Sequence, residues 1–397
     1  MKQEVEMANF TQRVTNLEAE GAYKVLARAQ ELEALGREIY HLEIGQPEFQ
    51  TFPHISLSGI HAIAGGQTRY NPPAGLPGLR EIIAEDAGKR RGIEIKPEQV
   101  VVGPGAKPGL FFPTLALVEP GDEVIYPDPG FPTYAAMIDV AGGKPVPVPL
   151  SEENNFSFDL DVFGELVNEK TRLIILNTPA NPTGGVIPIS DLEVIASAAE
   201  EFNCWVISDE IYARLVYDGL KAPSILSLPG MFERSVLVDG HSKTYAMTGW
   251  RLGFAIMPED LAERVELLLT HSIGCTATFT QIAGIEAITA DQSKVTEIVA
   301  EYQLRRDHIV SGLNEIHGVQ CQKPQGAFYV FPNLKSFGLP VREIARLLLD
   351  EAGVAVLPGT DFGQFGEGYL RLCYATPIEI IDKALERMAS FLEGIGK

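Results

Sequence analysis

At 397 residues the chain exceeds the size at which one hydrophobic core stops growing, so two domains are expected. Its composition, 45% hydrophobic and 21% charged, is that of an ordinary soluble globular protein. A net charge of −21 argues against nucleic acid or an anionic membrane as the main partner.

The opening MKQEVEMANF carries acids and lacks an apolar core, so it does not read as a signal peptide. Residues 17–35 have helical apolar spacing (Ala22, Val25, Leu26, Ala29, Leu32, Leu35), with Gly36 as a stop. HLEIGQPEF, residues 41–49, gives a short strand and a turn. Strand-like runs follow at Gln99–Val102, Glu123–Tyr126, Leu173–Leu176, Cys204–Ile207, Ser235–Val238 and Leu252–Ile256. Most are continuously apolar, which suits a sheet covered on both faces. The clearest helix between them begins at Ser190, where Ser190 and Glu193 have capping-box spacing ahead of Leu192, Ile195, Ala196, Ala199 and Phe202. This alternation predicts an α/β fold with a mainly parallel, doubly wound sheet. From about residue 291 the pattern changes. Helices at 293–316 and 341–352 flank short pieces such as Ala327–Phe331 and Tyr369–Leu372, which reads as a smaller α+β domain. The predicted divisions are 1–45, an N-terminal segment packing with the small domain; 46–290, a large domain; and 291–397, the small domain. No apolar run reaches transmembrane length, and a cytoplasmic enzyme is the expectation. Cys204, Cys275, Cys321 and Cys373 are scattered, so neither a disulfide framework nor a metal site is expected.

Polar residues cluster after the apolar runs, where open α/β sheets bind ligands. GPGAKPGLFF, 103–112, is a glycine-containing turn into a helix, a place that favours an anion. Asn181 lies in the turn TPANPTG. Asp209 ends an apolar strand in SDEIY, where a carboxylate caps a helix or pairs with a cation; Tyr212 follows three residues later. HSKTYAMTGWRLG holds Ser242, Lys243 and Arg251. A lysine forms a Schiff base with an aldehyde, and an arginine fork suits a phosphate. A lysine for an aldehyde, an acid for a pyridinium and an arginine for a phosphate are the needs of pyridoxal phosphate.

With these motifs in this order, the chain resembles a class I/II aminotransferase of the pyridoxal-phosphate fold type I group, aspartate aminotransferase-like. The likeness runs from about residue 12 to the C-terminus. It implies that Lys243 holds the cofactor aldehyde and then moves the proton, and that Asp209 pairs with the pyridine nitrogen. Tyr212 and Asn181 then bond the ring hydroxyl oxygen, and Phe131 of PDPGFPTY stacks on the ring. Arg251, Ser242 and the backbone of Gly105, Ala106 and Lys107 hold the phosphate. Gly45, Asn181 and Arg371 of YLRLCYA bind the substrate α-carboxylate. Tyr70 reaches the phosphate of a neighbouring subunit, which implies a homodimer. The implied substrates are an L-amino acid and a 2-oxo acid; for an acidic side chain Lys107 is a candidate partner, with Arg28 and Arg69 behind it.

The chain departs from the family pattern at Ala180, Gly78 and His241. None of these removes a catalytic group, and His241 is expected to be a satisfied histidine. The competing readings are a carbon–sulfur lyase or synthase of the same fold and, in another class, a regulatory ligand-binding module. The strong negative charge and the short segment before the first matched helix disfavour the regulator.

Overall fold

The computed structural model describes residues 10–395 other than 16 and 18; the reading of the first nine residues lies outside it. The strands are β1 (Tyr40–His41), β2 (Val100–Gly103), β3 (Glu123–Asp128), β4 (Lys144–Ser151), β5 (Ser157–Phe158), β6 (Thr171–Asn177) and β7 (Trp205–Asp209). They continue with β8 (Ser235–Gly240), β9 (Gly253–Ile256), β10 (Tyr329–Val330), β11 (Val354–Ala355), β12 (Leu357–Pro358) and β13 (Leu370–Cys373).

One eight-stranded sheet has the order β2-β9-β8-β7-β6-β3-β4-β5. Its centre, from β8 to β4, is parallel. β9 runs antiparallel to both β2 and β8, and β5 runs antiparallel to β4. The fold is α/β, as the apolar runs predict. Those runs are continuous because the sheet has no wet face. Leu79, Ile83, Leu192 and Ile195 cover one side. Leu110, Met137, Ile138 and Val265 cover the other.

The later part of the chain forms a three-stranded antiparallel sheet, β10-β13-β12, with the helices Ser293–Glu315 and Ile378–Ile395. β1 pairs in parallel with β11, so the segment after the first long helix is stitched to the C-terminal region. Two more main-chain bonds extend the stitch: Leu42 N–H to Ala355 O at 3.0 Å, and Cys373 N–H to Leu42 O at 2.8 Å.

Three local expectations are corrected. The helix expected at 17–35 spans Gly21–Ala34, because Glu20 is extended and starts it late. The helix expected at Ser190 begins at Ile189 behind an extended Pro188. Proline sets the entry, Ser190 falls inside the first turn, and its hydroxyl bonds the Asp191 carboxylate at 3.1 Å, so no capping box forms. The helix expected at 341–352 is α-helical only over Val341–Leu347 and ends in a π-helical turn, Leu348–Ala352.

One register feature bears on the site. Gly103, Gly253 and Gly240 lie side by side across β2, β9 and β8. A methyl group on Gly253 would sit 2.4 Å from the Gly105 carbonyl carbon, and one on Gly240 would sit 2.9 Å from Gly253 Cα.

Candidate active site

β7 and β8 end at the same edge of the sheet, where Asp209 closes β7 and Lys243 follows β8. Lys243 lies in the short helix His241–Thr244 directly after β8. Its Nζ donates to the Gly45 carbonyl oxygen at 2.6 Å. The amine lies 5.6 Å from the centre of the Phe328 ring and 5.9 Å from that of Tyr212. Burial pushes the amine down to about 8, and the charges of Arg371 and Arg251 act in the same direction.

Asp209, the last residue of β7, is 5% exposed. Tyr134 Oη donates to it at 2.8 Å and the Ile211 N–H at 3.2 Å. Burial raises its pKa to about 6 against the pull of these donors. Both donors are neutral, so the ionised carboxylate is left needing a cation.

Arg371, on β13, is buried with its guanidinium 4.6 Å from the Tyr329 ring centre and 4.9 Å from that of Phe362. One Nη donates to Asn181 Oδ1 at 3.2 Å and the other to the Glu43 carbonyl oxygen. Its buried Nε has no partner among the described residues. Asn181 is itself oriented by its N–H, which donates to Asn177 Oδ1 at 2.8 Å. The hydroxyls of Tyr212 and Tyr329 are 2.7 Å apart. Gly45 is required where it stands, since a methyl group there would lie 2.1 Å from Tyr329 Oη.

A cradle for an anion is built around Gly105, whose φ is +90°. A methyl group on Gly105 would lie 2.3 Å from Arg251 Nη2. Arg251 has φ +55°, an uncommon value for a side chain with a Cβ, and donates to Thr248 O at 2.8 Å and Pro104 O at 3.3 Å. The helix Lys107–Leu117 starts here; Pro108 carries no N–H, and the Gly109 N–H donates to the Ala106 carbonyl at 2.9 Å. Buried Ser242 precedes Lys243 on the neighbouring loop. Phe131 packs edge-on against Tyr134, with ring centres 5.7 Å apart.

Some expected residues stand apart. Tyr70 is 97% exposed and lines a surface depression with Arg69, Asn71 and Phe279. That depression adjoins the cleft beside Arg251, sharing Cys275, Ala277 and Phe279 with it. The Lys107 ammonium pairs with Glu20 and lies 5.2 Å from the Phe131 ring centre. Arg28, about half exposed, pairs with Asp350 at 3.0 Å and with Glu31. His241 is only half satisfied. Its Nε2 meets the Gly284 carbonyl at 3.3 Å, its buried Nδ1 has no partner among the described residues, and burial lowers its pKa to about 4.

Two contacts of the site escape the sequence reading. Tyr134 sits three residues after Phe131 at the start of a helix, and that spacing is the only local signal that both face one place. Tyr329 is hidden in the apolar run Ala327–Phe331, where it reads as core. Among the described residues there is no cluster of metal-binding side chains, and no helix is long and apolar enough to cross a membrane.

Comparison with known proteins shows the family. Residues 37–388 match the family described as aminotransferase class I and II. The aspartate aminotransferase of Pyrococcus abyssi is 44% identical, over 90% of this chain and 92% of that protein. The aromatic-amino-acid aminotransferase 2 of Thermococcus litoralis is 42% identical, over 89% of this chain and 92% of its own length. The crystal structure of an aromatic aminotransferase from Pyrococcus horikoshii superposes with a TM-score of 0.88 at 42% identity, covering 92% of this chain and 99% of that one. The chain therefore belongs to the class I and II aminotransferases and has aminotransferase activity.

Proposed function

We propose that the chain binds pyridoxal 5'-phosphate and moves an amino group between an L-amino acid of the aspartate/glutamate type and a 2-oxo acid, as a homodimer. The observation that carries this reading is a buried amine and a buried carboxylate standing at one edge of the sheet, not bonded to each other. Lys243 has its pKa lowered to about 8, and Asp209 has neutral donors only. The residues fit the cofactor. Asp209 offers a counter-charge to a protonated ring nitrogen. Arg251, Ser242 and the backbone of Gly105, Ala106 and Lys107 offer donors to a phosphate. Tyr212 and Asn181 offer hydrogen bonds to a ring oxygen, and Phe131 offers an aromatic face.

When bound, the cofactor supplies an electron sink that lets the α-proton of an amino acid leave. Every other task falls to the chain. Lys243 Nζ takes up and returns a proton, and burial, which lowers its pKa, makes the free amine a readier base near neutrality. Arg371, with Asn181 and the Gly45 backbone, grips the α-carboxylate through a two-donor fork. Lys107, about half exposed above Phe131, is the cation proposed for a side-chain carboxylate. Tyr70 is proposed to act on the partner's phosphate site. The exposed Leu57, Ile60 and Ile63 on the helix Pro53–Ala64 support a covered face there. The proposed divisions of the chain are 1–45, 46–290 and 291–397.

A half-reaction panel tests the reading. Each amino acid is added to the cofactor-loaded enzyme, and conversion to the amine form of the cofactor is followed by absorbance. Aspartate and glutamate should convert it fastest, each leaving its 2-oxo acid. Sulfide or pyruvate released from cysteine-type substrates without that conversion would instead indicate a lyase.

A further inference from the structure

The main chain from Glu43 to Gly45 holds two cations of the site, Arg371 and Lys243. The Glu43 carbonyl accepts from Arg371, and the Gly45 carbonyl accepts from Lys243 Nζ at 2.6 Å. On one side this segment is fixed by the bonds of Leu42 to Ala355 and Cys373. On the other it is fixed by a side chain. Glu43 is 0% exposed, and its Oε1 lies 2.8 Å from His41 Nδ1. Its Oε2 has no partner among the described residues. The second nitrogen of His41 reaches Glu33 Oε1 at 3.1 Å. The hydrogen bond to Glu43 raises the imidazole pKa to about 9, so His41 is cationic at neutral pH.

A carboxylate this buried, with one oxygen unpaired, is a poor choice for stability alone; an apolar residue of similar size is often better. We infer that Glu43, locked by His41, is a positioning residue that sets its own carbonyl, on which Arg371 rests. His41 is half exposed and Glu43 is not, so the pair works as a strut running from the surface to the back of the carboxylate clamp. Neither side chain touches substrate in this arrangement; both act through the backbone of Glu43. The role rests on the reading of Arg371 as the carboxylate anchor.

The test uses the cofactor-loaded enzyme with His41→Leu, Glu43→Leu, Glu43→Gln and Arg371→Lys. Steady-state kinetics are measured with aspartate, and affinity for the non-reactive dicarboxylate succinate is measured by calorimetry. His41→Leu and Glu43→Leu should raise KM and weaken succinate binding about tenfold while kcat changes less than about threefold. Glu43→Gln keeps an oxygen for the imidazole N–H and should recover most of the affinity. Unchanged succinate affinity in His41→Leu, a variant at a half-exposed position that keeps the core intact, overturns the inference. So does a lowered melting temperature with KM unaltered, which is the mark of a purely structural pair. If Arg371→Lys also leaves succinate binding unchanged, the fault lies with the reading of the site and not with the strut alone.

Discussion

Gly45 holds Lys243 by its carbonyl oxygen and touches Tyr329 by its α-carbon, so one residue without a side chain separates an amine from a phenol. Gly45→Ala places a methyl group against Tyr329 Oη, which must move, and Tyr212 is bonded to that hydroxyl. Overpacking of this kind costs about 1–3 kcal/mol. The variant should fold, melt a few degrees lower and lose at least about tenfold in kcat/KM, as seen by thermal denaturation and initial rates.

If Lys243 is the amine that holds the cofactor aldehyde and the base that moves the proton, as proposed, Lys243→Ala should abolish transamination. Borohydride reduction of the wild-type protein followed by peptide mapping should find the cofactor on Lys243. A label on another lysine rules the assignment out.

Asp209 gives a prediction with a sign. Its pKa in the folded protein is about 6, above the ordinary 3.8, so the cofactor-free protein gains stability below pH 3.8 that is lost as pH rises to about 6. Asp209→Asn removes the loss. The cofactor-free variant should therefore be more stable than wild type above pH 6, by up to about 3 kcal/mol in urea denaturation. Its turnover should nonetheless fall severely. A variant that is less stable than wild type at pH 7 would mean that the carboxylate is already compensated within the chain.

Arg371→Lys keeps a charge and loses the fork. Truncating a buried charge-assisted pair costs roughly 2–5 kcal/mol, so kcat/KM should fall about a hundredfold or more. The absorbance of the bound cofactor should stay as in wild type. A spectral shift with normal amino acid saturation would move this arginine to the cofactor site.

Tyr70 is testable by mixing. If its hydroxyl serves the partner's site, a severely impaired Tyr70 variant and Lys243→Ala should form heterodimers with one site carrying both lesions and one carrying neither. Activity should partly return after subunit exchange. No recovery, with exchange demonstrated, argues against action in trans.

The sheet was readable because its strands are short apolar runs buried on both faces, a local pattern. Lys243 and Asp209 were readable because charged residues at the ends of such runs are out of place, and Arg251 because its guanidinium follows Lys243 within one polar run. Tyr134 was not, since its bond to Asp209 joins residues 75 apart in the sequence. Tyr329 was not, since an aromatic in an apolar run reads as core, and only the fold places its hydroxyl on Tyr212, 117 residues away. The Ser190 capping box failed for a nearer reason: Pro188 had already set the helix entry. Motif spacing, then, locates residues whose chemistry conflicts with their place in the chain, and it misses those whose neighbours come from afar.

The three glycines abreast in β2, β9 and β8 make the two halves of the anion cradle a single mechanical part. The loop that follows Gly103 and the loop that follows Gly240 are in backbone contact through Gly253, with no side chain between them to absorb a displacement. A displacement of residues 105–106 therefore presses on Gly253 and, through it, on Gly240, the residue from which the Ser242–Lys243 turn begins. Engineering of the loop after Gly103 and of the loop that carries Lys243 cannot proceed independently; a library that varies one loop has to vary the other with it.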